Sequence, residues 1–272
     1  MPGSARGPRR LIVNADDFGF TCDVNAGIVE AHRHGILTAT TLMANGDAFA
    51  DAVALKAQTP SLDIGCHLVL VQGRSVLSAG RTLPETPLGL MRALLRRELP
   101  VYEELTAQVR KILAAGIRPS HLDTHKHTHL LPPVLEAVAR VAREFDIPWV
   151  RRPFDFAIDA GAPLAKRLVA VGMRVMRPRF AGLRSTDHFA GFQITGTLNE
   201  DSLARTLERL PEGLTEFMCH PGCLGPELRA AATRLKESRA IELAALLSPG
   251  IRQIIEQRGI ELTNYRAVTG SA

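Results

Sequence analysis

Apolar and polar positions along this chain switch repeatedly between two periods. Arg10–Ala15 (RLIVNA) is a short apolar run stopped by Asp16-Asp17-Phe18-Gly19, the pattern of a buried strand running into a loop. From Asp23 to His34 the apolar positions Val24, Ile28 and Ala31 fall at helical spacing, and Gly35 supplies a stop signal. Leu37–Met43 is β-branched and predicts a second strand, Ala48–Lys56 a helix, and Asp63–Leu70 a third strand. Residues 73–100, rich in Gly, Pro and Arg, read as a long loop or small subdomain. Further helices are predicted over Tyr102–Ala115, from Pro132-Pro133 through Phe145, and over Leu164–Met176, Leu198–Leu210, Lys236–Leu247 and Ile251–Gln257. Further strands are predicted at Ile147–Arg151, Phe192–Ile194, Leu214–Cys219 and Ile260–Tyr265.

Strands and helices alternating through the whole chain predict an α/β fold with a parallel sheet. About seven or eight strand candidates suit a TIM-barrel-like (β/α) barrel, irregular or incomplete, better than an open sheet. There is no fixed-period repeat and no shift in composition. Residues 1–9 are expected to be a disordered tail and residues 10–272 a single domain.

Composition adds limits. Of 272 residues, 46% are apolar and 22% charged, which excludes a predominantly disordered chain. The net charge of +5 raises nucleic acid or an acidic membrane as partners. The basic stretches Arg6–Arg10, Arg92–Arg97 and Arg174–Arg179 lack interleaved aromatics, so a basic enzyme is the better reading and no nucleic-acid partner is expected. Cys22, Cys66, Cys219 and Cys223 do not form a disulfide-framework pattern in a chain of this size. No signal-peptide core and no uncharged window of membrane length is evident, so a cytoplasmic protein with reduced thiols is expected.

Ser120–His129 (SHLDTHKHTH) carries the densest chemistry. His121, Asp123, His125, His127 and His129 recur at every second position, which on a strand puts them on one face. Four imidazoles and a carboxylate form a poor core face but a good metal or proton-transfer site; the competing reading is a solvated strand or a His-rich tract binding metal loosely. Parallel α/β folds place sites at the carboxyl ends of strands, favouring His125 and His127 over a deeper His121. Asp16 and Asp17 follow a buried strand, where carboxylates need a cation or strong donors, unless they form an Asp turn with a helix cap. His67 in DIGCHLVL matters only if its strand ends beside the first. His220 in EFMCHPGC follows an apolar strand and suits a general acid or base. The flanking Cys219 and Cys223 raise zinc, but read better as ordinary thiols. Asn14, Asn45, Arg151, Arg152 and Asp187-His188 are softer candidates for substrate contact or structure.

VNADDFG, GCHL, HLDTHKHTH and CHPG, in this order from Leu11 to Tyr265, resemble the YdjC-like (ChbG-like) family of carbohydrate deacetylases. WVRRPFDF and the long connecting helices look most like its hopanoid-associated HpnK branch. The resemblance implies one divalent metal (Zn, Mg, Ni, Co or Fe) held by Asp17, His67 and His125, with Asp16 as general base and His220 as general acid. His127, Arg151 and Asn45 would contact the sugar. It also implies removal of an N-acetyl group from an amino sugar, including one linked to a hopanoid lipid, and a homodimer. More distant deacetylases carry their metal pair as H-x-x-x-H; here it is split between His67 and His125. The helix Leu164–Met176 reads either as core-facing or as lying on an anionic inner-membrane surface. Rival readings are a phosphoesterase, weakened by the lack of a Gly-rich phosphate cradle, and a basic binding module with a vestigial site.

Overall fold

The computed structural model describes residues 7–157 and 161–270. Of the expected tail, residues 1–6 lie outside the described residues, and Arg9 already belongs to the first strand. The strands are β1 (Arg9–Phe18), β2 (Ala39–Leu42), β3 (Asp63–Leu68), β4 (His121–Thr124), β5 (Trp149–Val150), β6 (His188–Ala190), β7 (Gly213–Cys219) and β8 (Ile260–Leu262).

They form one parallel sheet in the order β5-β4-β3-β2-β1-β7-β6, with β8 also on β1. β8 pairs Arg9–Leu11, and β2 takes over from Asn14 onward. The sheet curls so that its two ends approach each other. They meet through an isolated parallel bridge, Asp155–Phe189, with Phe156 N donating to Phe189 O at 2.8 Å. The architecture is an irregular, incompletely closed (β/α) barrel, as the element alternation predicts. β1 runs through its centre, and Leu11 to Phe18 are all buried, which an unbroken apolar run permits when both faces are covered.

Several expected elements shift. The strand expected at Phe192–Ile194 lies instead at His188–Ala190. The Phe192 and Gln193 N–H groups donate to the Asp155 carboxylate (3.2 and 3.1 Å), so that segment turns instead of extending. Residues 73–100 contain a helix, Pro87–Leu95, capped by Thr86, whose Oγ1 accepts from Gly89 N at 3.0 Å. The helix expected to Met176 is α-helical over Leu164–Met173 and continues as a 3₁₀ segment, Arg174–Phe180, around Pro178. Tyr265 starts a helix instead of ending β8. Among the described residues, no helix is long and apolar enough to cross a membrane.

The helix Cys22–His34 is fixed at its start by Thr21, which accepts from Val24 N at 3.1 Å. It approaches the loop after β7 closely: a Cβ on Gly27 would lie 2.5 Å from the Cα of Gly222. This contact seats the CHPG segment over the end of β1.

Candidate active site

β1 carries both aspartates inside the strand, and not in a loop after it. Its register to β2 shifts between Ala15 and Phe18, and Asp17 adopts φ 71°, a region that side-chain-bearing residues rarely occupy. The bulge turns two consecutive carboxylates toward the carboxyl end of the barrel. Such strain is characteristic of positions where side-chain direction matters more than backbone comfort.

Asp17 Oδ1 lies 3.3 Å from His67 Nε2 and 3.3 Å from His125 Nδ1, and the two nitrogens are 3.2 Å apart. Three ligand-type atoms thus form a nearly equilateral triangle. Asp17 Oδ1 is buried and lacks a well-formed hydrogen bond. A triangle of this size suits a cation with ligand bonds of about 2.0–2.2 Å, and the His₂Asp donor set matches that of divalent metals. The residues therefore fit the group that the sequence implies.

Around the triangle, each member is held from behind. Asp123 Oδ1 accepts from His67 Nδ1 at 2.8 Å, which leaves Nε2 facing Asp17. Burial lowers the affinity of His67 for a proton, but Asp123, Asp17 and Asp16 outweigh it and raise its pKa to about 10. A cation would replace that proton, so its binding must weaken as pH falls. Arg239, on the helix Glu237–Leu247, reaches Asp17 Oδ2 at 2.5 Å. Burial works against the Asp17 carboxylate, yet Arg239 and the two histidines keep it ionised well below the usual range.

Asp16 faces the other way. Arg151 grips it through Nη1 to Oδ2 and Nη2 to Oδ1, both 2.7 Å, and Asn14 Nδ2 donates to Oδ1 at 3.2 Å. Burial opposes ionisation, but Arg151 prevails and depresses the Asp16 pKa far below normal. His220, just past β7, places Nε2 3.9 Å from Asp16 Oδ2. Burial lowers the His220 pKa to about 4, against the pull of Asp16 and Asp17, so its ring is neutral at neutral pH. Its backbone N–H donates to Glu242 at 2.6 Å.

The structure brings Asp16, Asp17, His67, His125, His127, His220 and Asn45 to one cavity of about 810 Å³. Arg151 is not on that wall. Its side chain is fully buried and also binds Asp123 (2.6 Å) and Glu216 (2.7 Å), so the expected sugar contact is corrected to a positioning role. The expected single-faced strand over His121–His129 also fails. β4 stops at Thr124, and Lys126 and His127 take positive φ (53° and 51°), so the chain coils after His125. His125 and His127 consequently face the cavity, whereas His121 stacks on Tyr265 at 3.8 Å in the core. His129 is also in the core, between Thr124 Oγ1 (2.6 Å) and Arg151 O (3.1 Å). Asn45 donates to Arg74 O at 3.2 Å, and its Oδ1, like His127 Nδ1, is buried without a partner among the described residues.

Among the softer candidates, Arg152 and Asp187 hold the backbone. Arg152 donates to the carbonyls of Thr186 and Asp187, and Asp187 accepts from Leu214 N at 2.8 Å. All four cysteines are free, and burial pushes the Cys66 and Cys219 thiols up. Arg239 was not singled out from sequence. Its available signal was a charged residue on a helix face shared with buried Glu242 and Leu246.

Fold and site together define an incompletely closed α/β barrel with an Asp-His-His cluster at the carboxyl ends of its central strands. The chain belongs to the YdjC-like protein family, whose pattern it matches over residues 10–257. It is 33% identical over 261 residues to a carbohydrate deacetylase of Brevibacillus brevis, covering 94% of this chain and 98% of that protein. To a carbohydrate deacetylase of Vibrio cholerae it is 33% identical over 268 residues, covering 95% and 96%. A crystal structure from Enterococcus faecalis, described as a candidate cellobiose-phosphate cleavage protein, superimposes with a TM-score of 0.77. It is 26% identical and covers 96% of this chain and 99% of its own.

Proposed function

We propose that this protein is a metal-dependent hydrolase that removes the N-acetyl group of an amino sugar, giving acetate and a free amine. The observation that carries the reading is the triangle of Asp17, His67 and His125, with sides of 3.2–3.3 Å, open to the cavity. The deacetylase names of relatives that align over nearly the whole chain support it.

A divalent cation held by these three residues would supply Lewis acidity toward the amide carbonyl and acidify a water molecule. Asp16 receives the proton of the attacking water. Its ion pair with Arg151 makes it a weak base, so the transfer becomes favourable only as the C–O bond forms and the water's acidity rises. His220, neutral and 3.9 Å from Asp16, is placed to take that proton and deliver it to the departing nitrogen. One proton of the water reaches the departing amine, and the other stays on the acetic acid formed, which ionises to acetate on release.

His127 and Asn45 line the cavity with unsatisfied polar atoms suited to sugar hydroxyls, and Phe20 and Phe192 offer apolar faces. The cavity exceeds what one monosaccharide fills. That size, with the WVRRPFDF tract, supports an N-acetylglucosaminyl hopanoid as substrate. The test is acetate release from N-acetylglucosamine, its oligomers and a glycosylated hopanoid, using metal-stripped and metal-reloaded protein. Metal-dependent release is expected, with the lipid-linked sugar the best substrate. No acetate release from any of these by metal-loaded protein, or acetate release indifferent to metal, would overturn the reading.

A further inference from the structure

Two segments on the rim of the catalytic cavity turn apolar stripes toward solvent. On the helix Leu164–Met173 and the segment after it, Leu164, Leu168, Val171 and Val175 recur at i, i+4, i+7 and i+11, and each is between 51% and 80% exposed. Met173, on the opposite side of that helix, is buried, so the stripe faces away from the protein. On the helix Pro87–Leu95, Leu88, Met91 and Leu95 recur at i, i+3 and i+7 and are also exposed. Contiguous exposed apolar surface on a soluble domain marks an interaction site.

Charge identifies the partner. Between residues 164 and 180 lie Lys166, Arg167, Arg174, Arg177 and Arg179, with no carboxylate. The second helix carries Arg92, Arg96 and Arg97, with Glu85 and Glu98 at its two ends and Arg96 3.8 Å from Glu98, so its surroundings are less purely cationic. An apolar stripe on a segment with cations and no carboxylate, as on the first of the two, is the chemistry of a helix lying in the headgroup region of an anionic bilayer. A second copy of this chain in a two-fold dimer would set like charges against like.

The first segment also contributes to the cavity wall, and the second begins beside it. Lys166 lines it from the first, and Glu85 lines it one residue ahead of Thr86, the cap of the second. We propose that these two helices dock the protein on an anionic lipid surface beside the cavity, where a lipid-anchored sugar can reach it. The choice of a lipid-anchored sugar rests on the deacetylase reading; the docking does not.

The test is co-sedimentation with vesicles of phosphatidylcholine alone or mixed equally with phosphatidylglycerol. The full chain is expected to bind the mixed vesicles about tenfold more tightly, and less as salt rises. Leu168→Ser/Val171→Ser/Val175→Ser and Leu88→Ser/Met91→Ser/Leu95→Ser should each weaken binding about tenfold, and together abolish it. Acetate release from a soluble amino sugar should be unchanged in these variants, which also reports that they fold. No binding to mixed vesicles, equal binding by the combined variant, or a dimer that the same substitutions split would overturn the docking. Vesicle binding without acetate release would overturn the reaction and leave the docking standing.

Discussion

Arg151 donates from one guanidinium to three carboxylates, Asp16, Asp123 and Glu216, with every contact at 2.6–2.7 Å and no side-chain exposure. A buried cation shared this way cannot be removed without leaving uncompensated charge. Arg151→Met is therefore expected to cost about 3–5 kcal/mol of stability, read from urea unfolding. A loss below about 1 kcal/mol would mean that the carboxylates are protonated or hydrated in the folded protein. Carboxylates and imidazoles are conspicuous in apolar strands, but it was the family resemblance that grouped Asp17, His67 and His125, the three whose ligand-type atoms meet in the triangle. The sequence offered Arg151 as suited to fixing a carboxylate without saying which, and it did not offer Arg239, because an arginine beside a strand or in a helix looks the same whether it meets solvent or a buried carboxylate. Only the fold brings residue 239 to residue 17, and residue 151 to residue 16.

At the scale of elements, long periodic segments were legible and their ends were not. β1 and β7 lie within a few residues of expectation because their apolar runs leave little choice of face. The alternation from His121 to His129 misled because a histidine at every second position also suits a strand that breaks into a turn. Two positive-φ residues, Lys126 and His127, made the break, and neither is a glycine that would have announced it. Glycine is informative at Gly27, where the helix Cys22–His34 meets the chain at Gly222 backbone to backbone. Gly27→Ala should push the two apart and cost about 1–3 kcal/mol, checked by thermal unfolding. It should also lower activity, because the displaced loop carries His220. Unchanged stability with full activity would show that the loop yields freely.

At the scale of the whole molecule, an irregular or incomplete barrel was legible as a class, but the place where it fails to close was not, because nothing local records which strands fail to meet. The two sheet ends join at Asp155 and Phe189. Burial pushes the Asp155 carboxyl up to about 6, despite the donors from Gln193 and Phe192. Its folded pKa lies above the ordinary value of 3.8, so the folded state binds the proton more tightly. This contribution is full below about pH 4 and is lost as pH rises through about 6. The difference is worth roughly 3 kcal/mol at most. Asp155→Asn should flatten the decline in stability between about pH 4 and 7, and a slope equal to the parent's would refute the assignment. The same seam bears on time as well as energy. Most of the sheet is stitched by continuous ladders, whereas this join depends on one bridge and a few backbone hydrogen bonds. Small openings of the protein should therefore begin there, with β6 and the chain after β5 parting for brief intervals while β1 and β7 stay paired. The cavity would breathe from one side.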